Sequence, residues 1–183
     1  MAKILLMLKT HQPVRVAEYS FFDLGKHKNY FNENLNRHII SRIADSCYLP
    51  VNRLLQRLTD RNADDFQFSI SISGTTIDQL EKHRPDALES FVKLAATGNV
   101  EILCEPYYYS LAFYKSPVEF EEQVDLHRQK IEALFGQRPV SFLNTEFCYN
   151  NEIAKLVSKA GFSHILSEGA DWVLHGKTPD QVF

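Results

Sequence analysis

Ser141-Phe142-Leu143-Asn144-Thr145-Glu146-Phe147-Cys148-Tyr149-Asn150 begins as a short apolar strand and ends in a polar cluster with a carboxylate at its exit. Asn150, Asn151 and Glu152 then open an apolar helix through Ile153, Ala154, Leu156, Val157 and Ala160, which Gly161 stops. A carboxylate held where a strand gives way to a helix is a common place for α/β enzymes to put chemistry. Glu146 is therefore a candidate nucleophile. By position alone it fits better a solvated acidic residue near a helix N-terminus, where negative charge is favoured.

Working outward, the same strand-to-helix alternation recurs on both sides. Upstream, Ser116-Pro117 starts a helix with the stripe Phe120, Val124, His127, Ile131, Leu134 and Phe135, and Gly136 closes it. His127 lies on that stripe and reads as a packed histidine. Before it, Val100 to Cys104 is a strand that delivers Glu105-Pro106-Tyr107-Tyr108-Tyr109 to its C-terminal end. Three tyrosines behind a carboxylate suit stacking on sugar rings, with hydroxyls for their oxygens. Packing of alternate tyrosines on the core fits the same pattern. Ile77 to Ala96 is helical with a break near Pro85, and Phe66 to Ser73 alternates as a strand does. Gly74 ends that strand, and Thr75 or Thr76 can cap the next helix. Pro50 to Leu58 has the spacing of an amphipathic helix.

Lys3 to Leu8 is a continuous apolar run of the kind a fully buried parallel strand uses. It ends at Thr10-His11-Gln12-Pro13, since proline cannot donate to a ladder. Val14 to Arg42 has a weak pattern with Tyr19, Phe21, Phe22, Tyr30 and Phe31 among polar residues. It reads as an irregular, aromatic-rich connection packed on the core, or as a lid over a ligand. Downstream, His164 to Ser167 is a fifth strand ending at Glu168-Gly169.

Strand and helix thus alternate, with connections long enough for crossovers. That predicts an α/β fold of parallel strands with outer helices. His11, Ser73, Glu105, Glu146 and Glu168 would then share the face at the strand C-termini. An open doubly wound sheet also fits, but the glycine-rich phosphate turn is missing, so no nucleotide and no other cofactor is expected. Thr178-Pro179-Asp180 reads as a helix start, and a closed eight-unit barrel needs about 250 residues. The expectation is that residues 1–183 are the N-terminal portion of a single barrel domain.

The chain has 183 residues, 44% apolar and 23% charged, with net charge -3. That suits one globular domain with a sizeable core. It carries no basic run of the kind that binds nucleic acid or membranes. The first apolar run is too short for a signal peptide or a membrane span. Cys47, Cys104 and Cys148 form no CxxC pair, so neither a disulfide framework nor a zinc site is expected. A cytoplasmic protein with free thiols follows. Oligomeric state, a homo-oligomer included, is left open.

With His11-Gln12-Pro13, Gly98-Asn99-Val100-Glu101 and Asn144-Thr145-Glu146 in this order, the sequence resembles glycoside hydrolase family fifty-seven, the α-amylase and 4-α-glucanotransferase family. The resemblance spans essentially the whole chain. It implies an incomplete (β/α)7-type barrel acting on an α-glucan or maltooligosaccharide by a retaining mechanism. Glu146 matches the nucleophile and His11 a histidine that contacts sugar at the point of cleavage. Glu101 matches a recurring motif position. Glu105, Tyr107, Tyr108 and Tyr109 would line the glucan groove. The family's general acid/base is an aspartate on a later strand, and no aspartate here matches it. Glu105 or Glu168 could substitute only if placed beside Glu146. Two other functions compete: a non-catalytic barrel that binds α-glucan, and a metal-dependent polysaccharide deacetylase. The latter needs a convergent Asp and His cluster, and His11 has no partner at metal-ligand spacing.

Overall fold

The computed structural model describes residues 4–26, 30–62, 65–169 and 174–177. The helix start expected at Thr178-Pro179-Asp180, and Lys3 of the first strand, lie outside the described residues.

Five short parallel strands carry the fold: β1 (Met7–Thr10), β2 (Phe68–Ile72), β3 (Val100–Leu103), β4 (Ser141–Leu143) and β5 (His164–Leu166). β2 pairs with β1 and β3, and β4 pairs with β5, all in parallel. The two sheets meet at a parallel bridge between Cys104 and Phe142. There Cys104 N–H donates to the Ser141 carbonyl at 3.0 Å, and Leu143 N–H donates to the Cys104 carbonyl at 2.8 Å. Neighbouring strands therefore follow in chain order, without reversal. The fold is a mixed helix and parallel-sheet architecture, as the alternation predicts.

β2 is buried along its whole length, and alternation splits its side chains between two environments. Phe68, Ile70 and Ile72 join the apolar core with Ile102, Phe142, Phe91, Leu94, Phe120, Val124 and Ile131. Ser71 and Ser73 instead hydrogen-bond across the strand ends to Glu105 and His11.

The helices are α1 (Glu33–Ile43), α2 (Leu49–Arg61), α3 (Gly74–His83), α4 (Pro85–Ala95), α5 (Pro117–Phe135) and α6 (Asn151–Lys159). α5 is bounded as its sequence predicts. The Ser116 side chain caps it by accepting from Glu119 N–H, and Gly136 leaves it at φ 64°. Asn150 caps α6 through the N–H groups of Glu152 and Ile153.

Two expectations are corrected. The connection Val14–Arg42 is not irregular throughout, because α1 occupies much of its second half. Its apolar stripe is interrupted by Asn36, which is turned inward and buried. Asn36 accepts from Arg15 N–H at 2.8 Å and donates to the Arg15 carbonyl at 3.3 Å, so it holds the loop that follows His11. A wide π turn, Ala44–Tyr48, joins α1 to α2. Pro50 follows at the start of α2, where its missing N–H makes a regular helical ladder impossible. The first strand is also shorter than expected and not fully buried. Ile4 and Leu5 are 92% and 76% exposed. β1 is an edge strand, paired with β2 alone among the described residues.

Candidate active site

The C-terminal ends of β1 to β4 converge on one cluster. After β4, Asn144 is buried and its side-chain amide donates to the Cys148 carbonyl at 2.9 Å. This closes a tight 3-10 turn, Thr145–Phe147. Glu146 and Phe147 have φ of 52° and 56°. For residues with a side chain this left-handed region costs about 1–2 kcal/mol each. Such strain persists only where the surroundings impose it, and it gathers at functional sites. The turn lifts the Glu146 side chain into solvent.

Tyr109 holds it there. Its hydroxyl donates to Glu146 Oε1 at 3.1 Å and accepts from Glu146 N–H at 3.3 Å. Tyr109 is itself left-handed, at φ 54°. His11 stacks on the Tyr109 ring, with centroids 4.1 Å apart and planes 27° apart. His11 Nδ1 lies 2.7 Å from Ser73 Oγ, which also meets the hydroxyls of Thr75 and Thr76. Thr76 in turn accepts from Gln12 N–H at 2.7 Å. Burial lowers the His11 pKa, and Lys9 lowers it further against the opposing pull of Glu146. The imidazole is therefore neutral at pH 7, a hydrogen-bonding group and not a charge.

Beneath the ring lies a charged layer. Lys9 Nζ donates to Glu105 Oε2 at 2.7 Å and to Ser71 Oγ at 3.2 Å, and Ser71 donates to Glu105 Oε1 at 2.9 Å. The Glu105 side chain has no exposed surface. Its N–H donates to His127 Nδ1 at 3.1 Å, while His127 Nε2 meets the Ile72 carbonyl at 2.9 Å. Those partners fix the tautomer: Nδ1 accepts, so Nε2 carries the proton. Burial pushes the Glu105 carboxyl up, against the pull of Lys9 and Ser71.

The structure thus brings His11, Tyr109 and Glu146 together at the surface. Glu105 does not line a groove, because Lys9 covers it. Tyr107 does not either: its hydroxyl donates to Asp78 at 2.6 Å, and its ring lies against Gly74. Tyr108 is 53% exposed and available as a platform. Glu168 is exposed past β5, with no bond to this cluster. Glu101 sits near the start of β3, in register with Ser69, away from the converging C-termini. Sequence reasoning does not find Lys9 and Ser71. The one signal for them is a lysine at the end of an apolar strand run, since a lysine there needs a partner. Among the described residues, no group of three or more His, Cys, Asp and Glu side chains could hold a metal ion.

Gly74 makes a simple test of this packing. A Cβ there would overlap the Tyr107 ring, which Asp78 prevents from swinging away. Gly74→Ala is expected to destabilise the fold by about 1–3 kcal/mol, the usual cost of overpacking. Urea denaturation measures it.

A family model described as glycosyl hydrolase family 57 matches residues 5–183. The chain belongs to glycosyl hydrolase family 57. Its relatives include a Methanocaldococcus jannaschii protein named "Putative alpha-amylase", 32% identical over 181 residues, which cover 96% of this chain and 38% of the relative. The chain therefore spans well under half the length of that relative. Among solved structures, the 4-α-glucanotransferase of Thermococcus litoralis matches with a TM-score of 0.72 at 17% identity, over 95% of this chain and 23% of its own. A family-57 branching enzyme from Thermococcus kodakaraensis matches with a TM-score of 0.59 at 13% identity, over 88% and 38%. Both matches speak to the fold. Among the described residues, no helix is long and apolar enough to cross a membrane.

Proposed function

We propose that this chain carries the nucleophile half of a retaining α-glucan-acting site, with Glu146 as the nucleophile. The observation that carries the proposal is the Glu146 carboxylate itself: exposed at the end of β4, on a strained turn, and held through one oxygen by Tyr109. Membership of family 57 supports hydrolase, transferase or branching chemistry on α-glucans. In this scheme a Glu146 oxygen attacks the anomeric carbon as the glycosidic C–O bond breaks. The departing oxygen takes a proton from a general acid, leaving a glycosyl ester on Glu146. Water or a second sugar then releases the glycosyl group with retained configuration. Neutral His11 and the rings of Tyr108 and Tyr109 form the sugar-facing wall.

We infer that the acid/base comes from outside the described residues. A retaining pair needs its carboxyls about 5–5.5 Å apart, and the neighbouring carboxylate Glu105 is sealed under Lys9. We infer that residues 1–183 form the N-terminal part of one barrel domain of the (β/α)7 type. The sequential parallel strand order and the greater length of the relative support this placement. Missing acid assistance costs about 10²–10⁴-fold, so residues 1–183 alone should bind maltooligosaccharides better than they turn them over.

The test follows early products of the full-length protein on a maltooligosaccharide by proton NMR. The α-anomer is expected first. The β-anomer appearing first would overturn the retaining scheme, and binding with no turnover would make the site a non-catalytic receptor.

A further inference from the structure

We propose that Lys9 is a positioning residue for the nucleophile, acting through Tyr109; the proposal rests on Glu146 being that nucleophile. Lys9 Nζ lies 4.3 Å from the centroid of the Tyr109 ring, within the range where an ammonium is attracted to an aromatic face. The same ring stacks on His11, and its hydroxyl bonds both the carboxylate and the N–H of Glu146. Lys9 cannot drift from this position. Glu105 and Ser71 hold its ammonium, Ser71 also holds Glu105, and His127 fixes the Glu105 backbone. A continuous path therefore runs from the buried His127 through Glu105, Lys9 and Tyr109 to Glu146.

Stability does not account for the pair. Burying a lysine and a glutamate together commonly gains nothing over apolar residues of the same volume. The Lys9 side chain keeps 19% of its surface while Glu105 keeps none. The carboxylate is thus the fixed anchor, and the ammonium is its outward arm. What that arm touches is the ring of a residue in a left-handed backbone conformation, which His11 also holds by stacking. Lys9 adds a constraint on that ring and so on where the Tyr109 hydroxyl meets Glu146.

The deciding experiment uses the full-length protein and three variants: Lys9→Met, Lys9→Arg, and Lys9→Met with Glu105→Gln. The double variant keeps volume and leaves no unpaired buried charge, so it folds even if the single one does not. With an activated aryl α-glucoside, whose good leaving group needs no acid, the burst of aryl alcohol before steady state reads the nucleophile's attack apart from release of the glycosyl ester. The double variant is expected to lose about ten- to thirtyfold in that burst rate, the value of a desolvated cation–aromatic contact. The substrate concentration for half-maximal burst rate should stay at the wild-type value, and Lys9→Arg should retain most of the rate. In NMR spectra, the His11 ring protons should lose the shielding that the stacked Tyr109 ring gives them. A wild-type burst rate in the double variant would reduce Lys9 to a counter-ion for Glu105 and overturn the proposal. Unchanged His11 signals would overturn it too. Those signals do not depend on turnover, so they decide the role of Lys9 even if Glu146→Gln proves fully active and the nucleophile assignment fails.

Discussion

On the proposed function, Glu146→Gln in the full-length protein is expected to lower turnover of maltooligosaccharides by on the order of 10⁴-fold or more, the scale of losing a covalent nucleophile. An amide oxygen is too weakly nucleophilic to displace a sugar at its anomeric carbon. Everything else at the turn survives the change. Glutamine has the same shape, and its carbonyl oxygen still accepts from the Tyr109 hydroxyl. The residue is exposed, so stability should stay within about 0.5 kcal/mol of wild type. His11 keeps its hydrogen-bonding form: the charge of Glu146 raises its pKa, so removing that charge favours the neutral imidazole further. Sugar affinity, measured by isothermal titration, is therefore expected to change little while kcat collapses. Equal losses in both would point to a binding role for Glu146.

The second large effect is on stability. His127 is wholly buried, and burial lowers its pKa from 6.5 to about 4. The unfolded chain takes up a proton first as the pH falls. The contribution of neutral His127 is therefore present above pH 6.5 and is lost on the way down to pH 4. Each tenfold difference in proton affinity between the folded and unfolded chains is worth about 1.4 kcal/mol, so the full loss is about 3 kcal/mol. Glu105 works in the opposite sense, because burial raises its carboxyl. The informative quantity is consequently the difference between wild type and His127→Leu, in urea denaturation at pH 7 and pH 5. The variant should cost about 2–6 kcal/mol at pH 7, because Glu105 N–H and the Ile72 carbonyl lose their partner inside the core. The gap should narrow at pH 5. A gap of constant size would mean that His127 does not titrate in this range.

Local patterns make most of the scaffold legible in the sequence. The alternation from Phe66 to Ser73 and the capped stripe from Ser116 to Gly136 each depend on neighbours in sequence, and both elements stand where those patterns put them. Sequence and structure part where distant residues decide. α1 is hidden because Asn36 spends its inward position on the Arg15 backbone. The apolar run of β1 implies burial and does not reveal that the strand lies at an edge. In the site, Glu146 and His11 can be found from strand ends and motif order. The burial of Glu105 cannot, because its partner Lys9 is ninety-six residues away and two strands across. Of the three adjacent tyrosines, Tyr107 packs inward on Gly74, Tyr108 faces solvent and Tyr109 turns back onto Glu146. Tyr109 has a left-handed backbone, and no residue type announces it.

Direct trapping tests the role of Glu146 most plainly. The full-length protein is incubated with a fluorinated α-glucosyl donor that forms the glycosyl–enzyme ester but releases it slowly. Proteolysis and mass spectrometry should then find one added sugar on the peptide containing Glu146, with none in Glu146→Gln. A sugar carried on another carboxylate, or turnover persisting in Glu146→Gln, would contradict the assignment.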